Sequence, residues 1–259
     1  MIEAPTKVAA FFDVDNTLVR GASAFHLAVG LYRRGFFGAR DILLFGVHQA
    51  RYRVFGENRH QIDELRSRAL SIMRGHSVAE VTAIAEDVYD EVLCLRLYEG
   101  TQRLLREHVA AGHDVWLVTA TPVEIGELLA RRLGCTGALG TIAEHRDGLY
   151  TGRLVGDLLH GRAKAEAVRV LAEREGIDLA QSSAYGDSTN DVPILSEVGQ
   201  PCAINPDRRL RRHAARCGWP MLEFRGRRRG VRRGVQTASL AGLAWATTLW
   251  LRNLRRPHP

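Results

Sequence analysis

The sequence predicts an α/β protein, a doubly wound, Rossmann-like parallel sheet with an α-helical cap inserted near its start. Three observations carry this reading. Val8–Phe12, Val115–Val118 and Cys202–Ile204 are short apolar runs, the pattern of strands buried on both faces. From Gly100 onward strand-like and helix-like segments alternate, the order of a parallel sheet with crossover helices. Between the first and second runs the spacing of apolar residues is helical throughout. The expected division is a core over 1–20 and 98–224, a cap over 21–97, and a basic, partly apolar tail over 225–259.

Taken in order, the first strand is five apolar residues, Val8–Phe12, stopped by Asp13. Ala22–Arg34, Ala39–Phe55, Ile62–Arg74 and Val78–Leu93 each carry apolar residues at three- and four-residue spacing, separated by Gly35, Gly38, Gly56, Gly75 and His76. Seven of the eighteen aromatics fall between Phe25 and Phe55, which suits the core of a helical bundle or an apolar lining over a pocket. Gln102–Ala111 reads as a helix ended by Gly112, and Val115–Val118 as a strand stopping at Thr119-Ala120-Thr121-Pro122. Val123–Leu133 is a helix closed by Gly134, and the glycine-rich stretch 138–156 holds a hairpin around Asp147-Gly148. Ala163–Glu175 is a helix ended by Gly176. Ser182–Tyr185 is a strand running into Gly186-Asp187-Ser188-Thr189-Asn190-Asp191. A short helix over Val192–Val198, the Cys202–Ile204 strand and an edge strand within Trp219–Phe224 complete the core.

Composition is that of an ordinary globular chain, 46% apolar and 25% charged. The net charge of +7 is unevenly spread: from Arg225 onward there are nine arginines and no acid, so residues 1–224 carry −2. The four cysteines, Cys94, Cys135, Cys202 and Cys217, show no metal-binding spacing and read as reduced thiols. The start of the chain lacks the basic stretch and long apolar core of a secretory signal, so a cytoplasmic body is expected.

The chemistry should lie where the strands end. In an open parallel sheet the carboxyl ends share one edge. That edge would gather Asp13, Asp15, Asp187 and Asp191, with Thr119, and Lys164 from the start of a helix. Carboxylates about 4 Å apart repel by roughly 4 kcal/mol at an effective dielectric near 20, so such a cluster needs a cation. Oxygen ligands alone call for a hard ion, and Mg²⁺ fits best. Lys164 and Thr119 then suit an anion joining the ion, phosphate being the obvious one.

The order Asp13-Val14-Asp15-Asn16-Thr17, Thr119 after an apolar strand, Lys164, and Gly186-Asp187-Ser188-Thr189-Asn190-Asp191 resembles the four motifs of the haloacid dehalogenase-like hydrolases. The resemblance spans about residues 7–224, and the helical block is similar to the small cap of the phosphoserine phosphatase-like branch. It implies a Mg²⁺-dependent phosphatase in which Asp13 is the nucleophile and Asp15 the acid and base. It further implies that Mg²⁺ is held by Asp13, the Asp15 backbone carbonyl, Asp187 and, in support, Asp191. Thr119, with Ala120 beside it, and Lys164 would hold the phosphate, and Asn190 would touch substrate or phosphate. One departure and one match bear on the substrate. Phosphoserine phosphatases carry a glutamate nine residues after the nucleophile to read the amino group, and here Ala22 stands there, with Ser23 beside it. Their cap arginine that reads the carboxylate has its match at Arg68. Phosphoserine is therefore not expected to be the best substrate. The alternatives are a lipid-phosphate phosphatase at a membrane surface and a non-catalytic membrane or nucleic-acid binder on the same fold, with a phosphotransferase as a further reaction open to the same intermediate.

In the tail, residues 235–251 carry no charge over 17 residues, include Trp245 and Trp250, and are flanked by arginines on both sides. This suits attachment to the inner face of a membrane. A helix docked on the body or on a second subunit is the competing reading. The arginines lack the interleaved aromatics of a nucleic-acid stacking surface.

Overall fold

A computed structural model of the chain describes residues 7–36 and 73–225. The expected helix over Ala39–Phe55, nearly all of that over Ile62–Arg74, the residue Arg68 and the tail from 226 lie outside the described residues.

Strand β1 (Ala9–Asp13) is central because every one of its residues is buried, which only a strand covered on both faces allows. It pairs in parallel with β2 (Asp114–Pro122) on one side and β6 (Ser183–Gly186) on the other. Strands β3 (Gly137–Thr141), β7 (Gln200–Ile204) and β8 (Met221–Leu222) extend the sheet in the order β3-β2-β1-β6-β7-β8, all parallel. The hairpin strands β4 (Ala143–Arg146) and β5 (Leu149–Leu154) form a separate antiparallel pair. The strand order reverses between β1 and β6, and ligands of doubly wound sheets sit at the carboxyl edge of that reversal.

Helix α1 (Ser23–Arg33) and α2 (Val78–Val88) belong to the insertion between β1 and β2. The expected helix to Leu93 changes register at Tyr89: a π turn over Tyr89–Leu93 and a 3₁₀ turn over Cys94–Arg96 lead back to the sheet. Helix α3 (Glu99–Ala110) starts three residues before the expected Gln102, and α4 (Val123–Leu133) has the expected bounds. Helices α5 (Arg162–Glu175), α6 (Val192–Leu195) and α7 (Arg208–Cys217) complete the core. Alternation along β1 feeds two cores. Ala10 and Phe12 join the cluster with Leu105, Leu117, Leu128 and the insertion's Leu27, Leu31, Ile84 and Val88. Ala9 and Phe11 join the cluster with Val168, Leu171, Leu195 and Leu210.

Two elements were absent from the sequence expectation. Strand β3 opens the glycine-rich stretch, and its glycines answer to close neighbours: a Cβ at Gly137 would strike the Trp116 ring, and one at Gly140 the Val123 backbone. Helix α7 has only Leu210 and Ala214 buried, too few apolar positions to stand out as a period. Its start is set by Asp207, whose side chain accepts from Leu210 N at 2.6 Å.

The expected hairpin forms at Asp147 and Gly148, both with positive φ (51° and 77°), as a two-residue turn requires. Its tip is tied to the start of α2: Gly75 N donates to Tyr150 O (2.8 Å), Tyr150 N to His76 O (3.0 Å) and Val78 N to Gly148 O (2.9 Å). Among the described residues no helix is long and apolar enough to cross a membrane. The chain divides into two units at Phe224/Arg225.

Candidate active site

Asp13 is the last residue of β1, 6% exposed, at the reversal of strand order. The chain then turns at Asn16, whose positive φ of 61° suits asparagine. This turn is held from three sides. Gly21 N donates to Asn16 Oδ1 (3.1 Å), Asn205 Nδ2 donates to Asn16 O (3.0 Å), and Thr101 Oγ1 donates to Thr17 O (2.7 Å). Both Thr101 and Asn205 are fully buried. The loop carrying Asp13 and Asp15 is thus pinned by α3 and by the residue after β7.

Lys164, in the first turn of α5, is 4% exposed and reaches across to this edge. Its Nζ donates to Asp13 Oδ1 at 2.5 Å and to Asp191 Oδ1 at 2.9 Å. The other Asp191 oxygen accepts from Asp187 N, Ser188 N and Ser188 Oγ, each at 3.2 Å, closing a capping box around the 3₁₀ turn Thr189–Asp191. Asp191 therefore caps a turn and faces the lysine with separate oxygens. Gly186 sits under this arrangement, where any Cβ would collide with the Asp191 side chain.

Asp13, Asp187 and Asp191, all buried, each offer a carboxylate oxygen, and the three oxygens lie within 4.8 Å of one another. Against these three charges stands one ammonium, leaving two negative charges in excess, the charge of a divalent cation. Burial, reinforced by the Asp191 carboxylate and only partly opposed by Lys164, pushes the Asp13 carboxyl up to about 7. Burial pulls Lys164 downward, but the Asp13 and Asp191 carboxylates outweigh it and hold the ammonium above the usual lysine range. Oxygen donors, burial and excess charge all fit a hard metal ion.

The Asp15 carboxylate is outside this group of three and turns toward α1, where Oδ1 accepts from Ser23 N (2.8 Å) and Ser23 Oγ (2.6 Å). Burial raises the Asp15 carboxyl, and the two Ser23 bonds oppose the rise. The side chains thus separate into a set of three around the ion-sized gap and one acid held apart; among the expected metal ligands, only the backbone of Asp15 remains for that role. Sequence reasoning noted Ser23 solely as the neighbour of Ala22. The signal for it was its place at the start of α1, eight residues past Asp15.

Thr119, 1% exposed near the carboxyl end of β2, shares a hydrogen bond with Thr121 Oγ1 (2.9 Å) and accepts from Thr121 N (3.2 Å). The Ala120 carbonyl accepts from Thr141 Oγ1 at 2.7 Å, which ties the end of β2 to the end of β3. Asn190 is half-buried in the 3₁₀ turn between Asp187 and Asp191. The expected site residues among those described thus lie near or just past the carboxyl ends of β1, β2 and β6 and in the first turn of α5.

The haloacid dehalogenase-like hydrolase family model matches residues 10–196. The phosphoserine phosphatase SerB1 of Mycobacterium tuberculosis is 52% identical over 237 residues, covering 91% of this chain and 77% of that protein. A crystal structure of a Bordetella pertussis protein of unknown function superposes with a TM-score of 0.75 at 31% identity, covering 85% of this chain and 99% of the other. A substrate-bound phosphoserine phosphatase shares the fold, with a TM-score of 0.62 at 22% identity over 89% of this chain and 99% of that one. The motifs at the strand ends, the strand order and these matches lead to one conclusion: the chain belongs to the haloacid dehalogenase-like hydrolases, in their phosphoserine phosphatase-like branch.

Proposed function

We propose that this phosphatase hydrolyses a small organic phosphomonoester by way of an aspartyl-phosphate at Asp13, with Mg²⁺ as its cofactor. The observation that carries the reading is the convergence of Asp13, Asp187, Asp191 and Lys164 at the point where the strand order reverses. Asp13 attacks phosphorus while the bond to the leaving oxygen breaks and Asp15 gives that oxygen a proton. Water then attacks the same phosphorus, Asp15 takes its proton, the bond to Asp13 breaks, and inorganic phosphate leaves. Burial raises the Asp15 carboxyl, which favours the protonated form that a proton donor needs. Lys164 and Thr119 hold the phosphate's non-reacting oxygens, with Ala120 and Asn190 beside them. Mg²⁺ would be held by Asp13, Asp187 and Asp191 with the Asp15 carbonyl. When bound it offsets the charge on the phosphoryl oxygens. We assign the role of cap to residues 21–97.

The substrate is argued from two sides. SerB1 is named a phosphoserine phosphatase. Here, however, Ala22 stands where such enzymes place their amino-reading glutamate, and Ser23 is engaged by Asp15. Without a carboxylate at position 22 the site gains less from an ammonium. Phosphoserine should accordingly be turned over with a kcat/KM within about 10-fold of phosphomonoesters lacking an amino group. A preference above about 100-fold overturns this substrate reading. The reaction itself is tested with an aryl phosphate, with and without Mg²⁺, and with Asp13→Asn. Turnover in the Asp13→Asn variant refutes the nucleophile, and turnover unaffected by EDTA refutes the metal.

A further inference from the structure

Helix α7 contains five arginines and no acid. At about 100° per residue, Arg208, Arg212, Arg216 and Arg209 fall within one arc of about 100° on the helix. All four are exposed. Leu210 and Ala214 lie on the other side, both at 0% exposure, so packing fixes which side meets solvent. Arg211 lies off the arc and is paired with Glu223. Among the described residues none of the four has a carboxylate within ion-pairing distance, and Arg212 donates only to the Arg208 carbonyl. Since residues 1–224 carry −2 with these arginines included, the strip is a local positive field on a body otherwise acidic. Its amino end adjoins the catalytic edge, because Asp207 N donates to Asp187 O at 2.8 Å.

We propose that this strip docks the enzyme on an anionic phospholipid bilayer and holds the catalytic edge beside that surface. Four guanidinium groups pointing one way match a flat, densely anionic plane, where each adds binding energy independently. A nucleic-acid strand fits less well: stacking needs exposed aromatics, α7 has no phenylalanine, tyrosine or tryptophan, and the nearby Trp219 is packed against His213 at 5.0 Å. The sequence beyond Phe224 adds nine arginines flanking 17 uncharged residues with two tryptophans, a combination of basic and apolar character that suits a bilayer interface. Docking rests on charge and packing alone and is read by vesicle binding; that the edge held at the surface is catalytic rests on the phosphatase reading.

The test is vesicle binding by the full chain. Phosphatidylcholine vesicles with about 30% phosphatidylglycerol should bind it at about 50 mM salt and release it at about 500 mM. The variant R208Q/R209Q/R212Q/R216Q should bind at least about 10-fold more weakly, each arginine near such a surface being worth about fivefold. A control losing the same charge elsewhere, R103Q/R106Q/R169Q/R174Q, should bind as the unaltered protein does. Both variants should keep the unaltered turnover of a soluble aryl phosphate, which reports that they fold. The proposal is overturned by absence of binding, by equal binding to pure phosphatidylcholine, by equal weakening in the control, by no weakening in the strip variant, or by tighter binding to a single-stranded RNA than to the vesicles at one salt concentration.

Discussion

Replacing Lys164 by methionine removes the buried positive charge beneath Asp13 while keeping an unbranched side chain. The ammonium stands 2.5 Å from Asp13 and 2.9 Å from Asp191, with the three side chains 5%, 8% and 2% exposed. At an effective dielectric near 20 each contact corresponds to roughly 6 kcal/mol of attraction, most of it offset by the desolvation of the charges. Removing one member of a buried pair costs about 3–5 kcal/mol, and two acids lose their partner here, so about 5 kcal/mol is expected. That is about half the stability of a typical domain and about 10–20 °C in Tm. The assay is urea and thermal unfolding in EDTA, where no divalent ion can take the lysine's place. Adding Asp191→Asn leaves one stranded carboxylate fewer around Asp13, and the double variant should recover about 1–3 kcal/mol. Mg²⁺ should stabilise Lys164→Met more than the unaltered protein, because the variant's cluster holds one more uncompensated negative charge. A single variant within about 1 kcal/mol of the unaltered protein in EDTA refutes the reasoning, since the acids would then not depend on the lysine.

Ser23→Ala removes the 2.6 Å hydrogen bond that orients the Asp15 carboxyl toward its place in the site. A stability loss of about 1–3 kcal/mol by urea unfolding is expected, with a fall of about 10-fold in turnover of an alkyl phosphate, whose leaving oxygen needs a proton. Gly186→Ala places a methyl against Asp191 and should lower turnover by about 100-fold through displacement of that side chain, at a stability cost of about 1–3 kcal/mol. His108 bonds to Tyr185 (2.8 Å) and His113 (2.9 Å), and burial, reinforced by His113, holds it below the usual histidine range. As pH falls below about 6.5 the unfolded chain takes up the proton first, so stability present above that pH is lost toward the lowered native value. Urea midpoints between about pH 5 and 8 should show this slope, and His108→Gln should flatten it.

Legibility in the sequence followed the strength of the local signal. Five apolar residues stopped by Asp13 suit a strand covered on both faces, and β1 is that strand. Gly134 and Gly176 mark helix ends, both in the left-handed conformation that favours glycine. Strand β3 was hidden because its glycines are demanded by Trp116 and by the Val123 backbone, neighbours that only the fold supplies. Helix α7 was hidden because two buried residues suffice for a helix at the margin of a sheet. Asn205 had no signal at all: its role is to bind Asn16, 189 residues away in the chain, and Phe224 N.

By itself the sequence determined which residues carry charge and in what order, and hence that acids would end the buried strands, a set of oxygen donors able to hold a hard cation. Local patterning suffices for this, because burial of an apolar run and the chemistry of a side chain are properties of a few adjacent residues. Only the tertiary structure decided how those acids divide: Asp13, Asp187 and Asp191 within one gap shared with Lys164, Asp15 turned away to Ser23. Which oxygen meets which partner depends on the register of β1 against β6 and on where α5 and α1 begin in space. Those distances arise from packing across the whole sheet and are written in no single stretch of the chain.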